Sequence, residues 1–214
     1  MTERLEILFS LIDECDVFAD IGCDHGYISQ KILQSGRAKK VYASDISEPS
    51  LNKTIETIGG SFNGRFFAFV SDGFANLPTD VDEALIAGMG GEEICHILSS
   101  AAVLPQKLIL QPMKNSEKVR RLLVGMGYGI TRDFTFFSAE KYYDAIKADK
   151  SIMAVEYTPL EYAYGGENVR NRGEGFLKFV RMKIKELENA LQNIRSEAER
   201  QRVQTTISRL KGFL

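Results

Sequence analysis

Val17-Phe18-Ala19-Asp20-Ile21-Gly22-Cys23-Asp24-His25-Gly26-Tyr27 is the stretch on which the fold turns. An apolar run, Val17–Ile21, stops at a glycine and passes through a polar turn. From Tyr27 the apolar spacing becomes helical, over Tyr27–Gln34. The same change of period recurs down the chain. Strand-like runs at Lys40–Ile46, Arg65–Val70, Ala84–Ala87 and Lys107–Leu110 alternate with helical stretches at Ser50–Ile58, Glu92–Leu98 and Ser116–Met126. Strands alternating with helices predict an α/β fold, a parallel sheet covered by helices on both faces. Two further runs, Ile130–Phe137 and Ile152–Tyr157, follow with no crossover helix between them, which predicts an antiparallel hairpin at one edge and about seven strands in all.

In such a sheet, ligands bind beyond the carboxyl ends of the strands, beside the first strand–helix turn. Gly22 lets a ligand approach the backbone and Gly26 permits a tight entry into the helix. A dinucleotide pyrophosphate needs bare N–H groups there, and Asp20 and Asp24 would repel it. The ammonium of an amino acid suits these carboxylates, so the turn favours S-adenosylmethionine over a dinucleotide. The second strand ends in Asp45, placed for ribose hydroxyls, and the third is followed by Asp72-Gly73-Phe74, where Asp72 is a candidate for the adenine amino group. Ile46 and Phe74 are candidates for packing on the adenine ring. After the fourth strand, Gly88-Met89-Gly90-Gly91 is either an acceptor loop or an ordinary tight turn. Beyond the fifth, Lys114, Lys118, Arg120 and Arg121 offer a phosphate-binding rim, or the wet face of a helix.

The chain has 214 residues with 44% hydrophobic and 26% charged residues, enough for one ordinary domain with a small appendage and unlike a disordered chain. It contains no apolar run of membrane-spanning length, an acidic opening unlike a signal peptide, and three scattered cysteines that suit neither disulfides nor zinc; a cytoplasmic protein without membrane or metal partners is expected. The net charge of −2 hides an asymmetry. Residues 165–214 carry eleven Lys/Arg against six Asp/Glu, a net of +5, leaving −7 for the rest. A basic tail on an acidic body fits an anionic partner such as nucleic acid, with Lys178, Arg181 and Lys185 as contacts, and equally fits a solvated helix face. In that tail Val180, Ile184, Leu187, Leu191 and Ile194 make a heptad seam, repeated out of phase by Val203, Ile207, Leu210 and Leu214. The phase break between Arg195 and Arg202 predicts a helical hairpin or a stutter. The expected division is a body over residues 1–160 and a helical coiled-coil arm over 165–214, with Gly165, Gly166, Gly173 and Gly175 as a linker.

Asp20-Ile21-Gly22-Cys23-Asp24-His25-Gly26-Tyr27, together with Ile86-Ala87-Gly88-Met89-Gly90-Gly91 and Leu108-Ile109-Leu110-Gln111-Pro112, resembles the bacterial tRNA (adenine-N1)-methyltransferase family that modifies adenine 22. The likeness spans roughly residues 3–157 and extends more loosely into the arm. It implies a class I, Rossmann-like methyltransferase, S-adenosylmethionine as cofactor, and a C-terminal coiled coil that helps hold tRNA. The sequence departs from the family at Ser44-Asp45, where Gly-Glu is common, and at Met113, where Asn is usual. The arm is also shorter than usual.

Because N1 of an unpaired adenine carries a free lone pair, methylation there requires alignment more than a general base. Tyr27 is the expected stacking platform for the target base and Met89 and Gly90 belong to the acceptor loop. His25 is a candidate that fits local hydrogen bonding as well as proton transfer. A monomer is expected, with dimerisation through the arm left open.

Overall fold

A computed structural model describes all 214 residues. Helix α1 (Glu3–Leu11) is followed by β1 (Cys15–Ile21), α2 (Tyr27–Ser35), β2 (Ala38–Asp45), α3 (Glu48–Ile58) and β3 (Phe66–Val70). Then come β4 (Glu83–Met89), α4 (Gly91–Ser100), β5 (Lys107–Pro112), α5 (Ser116–Gly125), β6 (Gly129–Ser138) and β7 (Lys141–Asp149). The seven strands form one sheet in the order β3-β2-β1-β4-β5-β7-β6; β1 to β5 are parallel, and β7 and β6 are antiparallel at the edge. This is the Rossmann-like arrangement expected, with the strand order reversing beside β1.

Strand periodicity builds a core on each face. Val17, Ala19 and Ile21 of β1 pack with Ala84, Ile86, Leu108 and Leu110 under α4 and α5. Phe18, between them in sequence, joins Leu85 and Ile109 on the opposite face, under α1 and α2. Asp20 shares that second face and the buried end of β1, so its carboxylate is aimed at α2.

The edge hairpin exists, but its second strand is β7, not Ile152–Tyr157. That stretch has no regular structure, and Ile152, Met153 and Val155 are exposed. Strand β7 was hidden by its polar residues, which are spent inside the protein: Asp144 pairs with Arg120 at 3.0 Å and Lys147 with Asp13 at 2.6 Å. The hairpin also turns on Ala139 (φ 47°) and Glu140 (φ 59°), left-handed positions without the Asn-Gly signature that marks such turns.

Residues 157–173 are a built junction where a linker was expected. Two short helices, α6 (Pro159–Tyr164) and α7 (Gly166–Asn171), pack against α5 and β6. Thr158 and Glu161 form a reciprocal cap at the start of α6. Gly165 sits at φ 92°, and the Gly166 N–H donates to Asp133 at 2.9 Å. A Cβ on Gly166 would lie 2.7 Å from the Tyr157 hydroxyl, so glycine is required there.

Arg120 is the centre of this junction, and its assignment to a phosphate-binding rim is corrected. Its side chain has no exposed surface; Nε donates to both Asp133 oxygens at 3.0 Å, Nη2 to Asp144 at 3.0 Å and Nη1 to the Tyr162 carbonyl at 3.2 Å. A guanidinium with no exposed surface and its charge met by two carboxylates cannot reach a phosphate.

Beyond the junction, α8 (Glu174–Leu191) and α9 (Glu197–Lys211) form a helical hairpin that reverses over residues 192–196, a few residues ahead of the expected break, so Ile194 lies in the turn and not on the seam of α8. Phe176, Val180, Ile184, Ile207, Leu210 and Phe213 make its own small core. Phe213 closes the seam, and Leu214 points to solvent.

Candidate active site

A cleft of about 1050 Å³ opens where β1 and β4 end. Its wall includes Asp20, Gly22, Cys23, Asp24, His25, Tyr27, Asp45, Gly88 and Met89, drawn from the first loop and the ends of β2 and β4. The loop is held by backbone bonds: the Gly22 and Cys23 N–H groups donate to the Ser44 carbonyl at 2.8 and 3.1 Å, and Gly26 N–H to Cys23 at 2.8 Å. Gly22 holds φ 71°, a conformation that favours glycine, and a Cβ there would lie 2.1 Å from the Met89 Cε. Asp24 holds φ 44° without being glycine, a strained backbone of the kind found where a loop is shaped for a ligand.

Three of the cleft's acids differ in their surroundings. Asp20 is buried and accepts one hydrogen bond, from the Ser29 hydroxyl at 2.7 Å. Burial raises its carboxyl to about 6 against the lowering effect of Ser29, and the nearby charge of Asp45 adds to the rise. Asp45 accepts from the Ser47 N–H at 2.8 Å and keeps a free oxygen. Asp24 is 60% exposed, with His25 Nε2 at 3.7 Å and Lys53 at 3.8 Å. Asp20 and Asp45 are therefore the less exposed anions that keep acceptor capacity, whereas Asp24 faces solvent.

Strand β4 carries a bulge between Ala87 and Met89, with Gly88 at φ 82° as the extra residue. The bulge re-aims Met89 over Gly22. Gly91 is explained by packing: its N–H donates to Lys114 at 2.9 Å, and a Cβ would lie 2.6 Å from the Lys114 and Asn115 carbonyls. At the cleft mouth His25 and Tyr27 stack with centroids 5.5 Å apart and planes at 19°, and Tyr27 is half exposed.

Several expected site residues lie outside this wall. Gly26 is needed because a Cβ would strike Thr54 at 2.5 Å, and Gly73 because one would strike Ile97 at 2.6 Å. Phe74 packs on the core under α4, Asp72 and Ile46 are exposed beyond the strand ends, and Gly90 caps α4. Of the expected cations, Lys118 pairs with Glu92 at 2.7 Å, Arg121 with Glu117 at 2.8 Å and Lys178 with Glu174 at 2.7 Å. Lys114, Arg181 and Lys185 are exposed and have no ion-pair partner.

Sequence reasoning missed Ser29, Arg4 and Gln111. The strand–turn–helix geometry that faces Ser29 to Asp20 was a usable signal, because both sit on the inner face of their elements. Arg4 had none, since a single arginine in an amphipathic opening helix reads as a solvated residue. Cys23 is no nucleophile, as burial pushes its thiol up to about 12. No group of three or more His, Cys, Asp or Glu is arranged to hold a metal. No helix is long and apolar enough to cross a membrane.

A family model described as a methyltransferase domain matches residues 1–146. The chain belongs to this methyltransferase family. A Mycoplasma pneumoniae protein, named as a candidate tRNA methyltransferase, is 30% identical to it over 176 residues, covering 80% of this chain and 82% of the relative. The tRNA (adenine(22)-N(1))-methyltransferase of Bacillus subtilis is 25% identical over 170 residues, 77% and 71% of the two chains. The solved structure of the M. capricolum enzyme TrmK with S-adenosyl-homocysteine superposes with a TM-score of 0.91 at 22% identity, over 100% of this chain and 97% of that one. That fit extends the shared fold through the helical arm. The cleft of this methyltransferase thus lies where a Rossmann-like sheet places its ligand, at the point where strand order reverses.

Proposed function

We propose that this methyltransferase uses S-adenosylmethionine to methylate N1 of an adenine in tRNA, adenine 22 being the position named for the B. subtilis relative. The observation that carries the cofactor assignment is the pairing of a buried Asp20 and a half-buried Asp45 at adjacent strand ends, both with acceptor capacity to spare. Two carboxylates so placed fit an ammonium group and a ribose diol, and their charge opposes a pyrophosphate. Asp20 takes the ammonium role and Asp45 the ribose role. Gly22 and Gly88 keep the backbone open between them. When bound, the cofactor supplies a methyl group on a sulfonium, already activated for displacement by a nitrogen lone pair.

The residues around the cleft position rather than transfer protons. The stacked His25–Tyr27 pair, half exposed at the cleft mouth, is suited to receive an unpaired base against an aromatic face. Met89, turned inward by the bulge at Gly88, limits how deeply that base enters. Alignment of this kind supplies on the order of 7–11 kcal/mol of barrier reduction in well-oriented reactions, which is why no strong base is required. Of the cations expected to contact RNA, Lys114, Arg181 and Lys185 are free to meet tRNA phosphates, and the working location is the compartment that holds tRNA, the cytoplasm.

Incubation of the protein with tRNA lacking modifications and with methyl-labelled donor, followed by nucleotide mapping by mass spectrometry, tests this reading. The expected product is a single N1-methyladenosine in the D-arm region. Label on another base, or none, contradicts it.

A further inference from the structure

The β6–β7 hairpin rises past the rest of the sheet on the side where the cleft opens. Leu110 is paired with Ile146, so Pro112, the last residue of β5, is level with Asp144. Lys141, Tyr142 and Tyr143 therefore stand beyond the strand ends, reaching about 10 Å further at the usual rise per residue. Successive side chains of this extension face opposite ways. Tyr143 turns towards the cleft, its ring centre 5.7 Å from the guanidinium carbon of Arg4, which lines the cleft and donates to Gln111 at 2.5 Å. Tyr142 turns towards the arm, where its ring meets Phe179 of α8 edge-on at 5.5 Å. Across the strand pair, Phe137 lies against Tyr142 with centroids 4.9 Å apart.

Phe137, Tyr142 and Phe179 thus make one aromatic ledge between the cleft and the arm. Packing does not account for it. Phe136, on the other face of the same strand, is buried in the core, whereas Phe137 is 49% exposed and Tyr142 and Phe179 are half-buried. Cations flank the ledge on both sides. Lys141 is exposed beside Tyr142 and has no ion-pair partner. On α8, Lys178, the exposed Met182 and Lys185 follow at spacings of four and three residues, one face of a helix. Lys185 is unpartnered, and Lys178 holds Glu174 in an exposed pair of the weak kind. Glu140, at the turn, is the one carboxylate of the hairpin tip.

We infer that this ledge stacks a second unpaired nucleobase of tRNA, apart from the one that is methylated, an inference that rests on the tRNA reading above. An adenine drawn into the cleft leaves its stacked neighbours uncovered. Exposed rings with cations on either side offer such a neighbour a flat partner and its phosphates a counter-charge. The hairpin's two faces then divide the work: the Tyr143 face belongs to the cleft, and the Phe137–Tyr142 face holds the flanking RNA.

Phe137→Ala and Phe137→Trp, compared with the wild type in tRNA binding at several salt concentrations and in steady-state methylation, test this. Phe137→Ala should weaken tRNA about 5- to 20-fold at every salt concentration, because an uncharged stacking contact is lost, and should raise KM with kcat nearly unchanged. Phe137→Trp should keep the wild-type affinity. Lys141→Ala should instead make the slope of log affinity against log salt shallower by about one unit. S-adenosylhomocysteine affinity should stay within about twofold in all three, with thermal stability nearly unchanged. Full tRNA affinity in Phe137→Ala overturns the inference. A joint loss of thermal stability and S-adenosylhomocysteine binding would make the ledge a support of the fold and overturn it too. A wild-type dimer that Phe137→Ala dissolves, with tRNA affinity retained, would overturn it by giving the ledge to a second copy of the chain. Wild-type protein that binds and methylates no tRNA would refute the functional reading itself, and this inference with it.

Discussion

The two edges of the sheet use the same kinds of residue in opposite ways. At the amino edge, Asp13, Glu83, Lys107 and Lys147 close on one another: Asp13 takes Lys107 at 2.7 Å and Lys147 at 2.6 Å, and Lys147 lies 3.5 Å from Glu83. The two lysines hold the Asp13 carboxyl below its usual range although burial opposes them. At the carboxyl edge, Asp20 has one hydroxyl donor, Asp45 one backbone N–H, and Arg4 one amide acceptor. Charges satisfied within the protein contribute to its stability. Charges left with spare capacity in a cleft are available to a ligand.

The largest separation between the edges is expected from Lys147→Met. Removing that cation leaves the fully buried Glu83 without its nearest counter-charge, and breaking such a cluster from one side costs roughly 3–5 kcal/mol. Urea denaturation measures it, and cofactor affinity should stay unchanged. The loss also has a pH signature. Burial already raises the Glu83 carboxyl to about 7, so its ionisation costs stability progressively as pH rises from the ordinary carboxylate range to that value, and the cost is complete above it. Without Lys147 the Glu83 carboxyl rises further, so the added destabilisation of Lys147→Met should grow as pH rises above about 7 and shrink towards pH 5, where Glu83 is protonated in both proteins. A variant equally unstable at pH 8 and pH 5 would break the assignment of Glu83 to this cluster.

A smaller effect is expected at the carboxyl edge, in binding instead of stability. The Asp20 carboxyl sits at about 6 in the free protein. Protons therefore compete with a ligand ammonium below that pH, and not above about 7. S-adenosylhomocysteine affinity should be flat from pH 7 to 8 and should fall towards tenfold per unit below pH 6, about 1.4 kcal/mol. Asp20→Asn should flatten the profile. A steep profile retained in that variant would assign the titration to another group.

The smallest effect belongs to the arm. Arg181→Ala combined with Lys185→Ala removes two exposed cations that have no ion-pair partner. Affinity for tRNA should drop several-fold, and the slope of log affinity against log salt should become shallower by roughly one to two units. An unchanged slope would exclude these side chains from the RNA contact.

What was legible in the sequence follows from whether a residue's role is local. The β1–α2 turn was readable because strand, glycine and helix start are adjacent; in the arm the out-of-phase seams made a break readable, while the choice between a reversal and a stutter was not. Arg120 was not readable as a buried residue. Its two carboxylate partners lie 13 and 24 residues away, on strands whose pairing had to be known first. Strand β7 failed for the same reason, its Asp144 and Lys147 looking solvated until their partners are placed. Arg4 is the converse case: nothing in the opening helix distinguishes it, and only the closing of α1 over the strand ends brings it to the cleft.

The account stands most directly on one titration, S-adenosylhomocysteine into the wild type and into Asp45→Ala. One site per chain is expected in the wild type. Loss of a charged acceptor for the ribose should weaken binding about tenfold or more in the variant, with thermal stability nearly unchanged because Asp45 is half-exposed and supports only Ser47. Absence of binding in the wild type, or full affinity in Asp45→Ala, would contradict a carboxylate-lined cofactor cleft at this edge of the sheet.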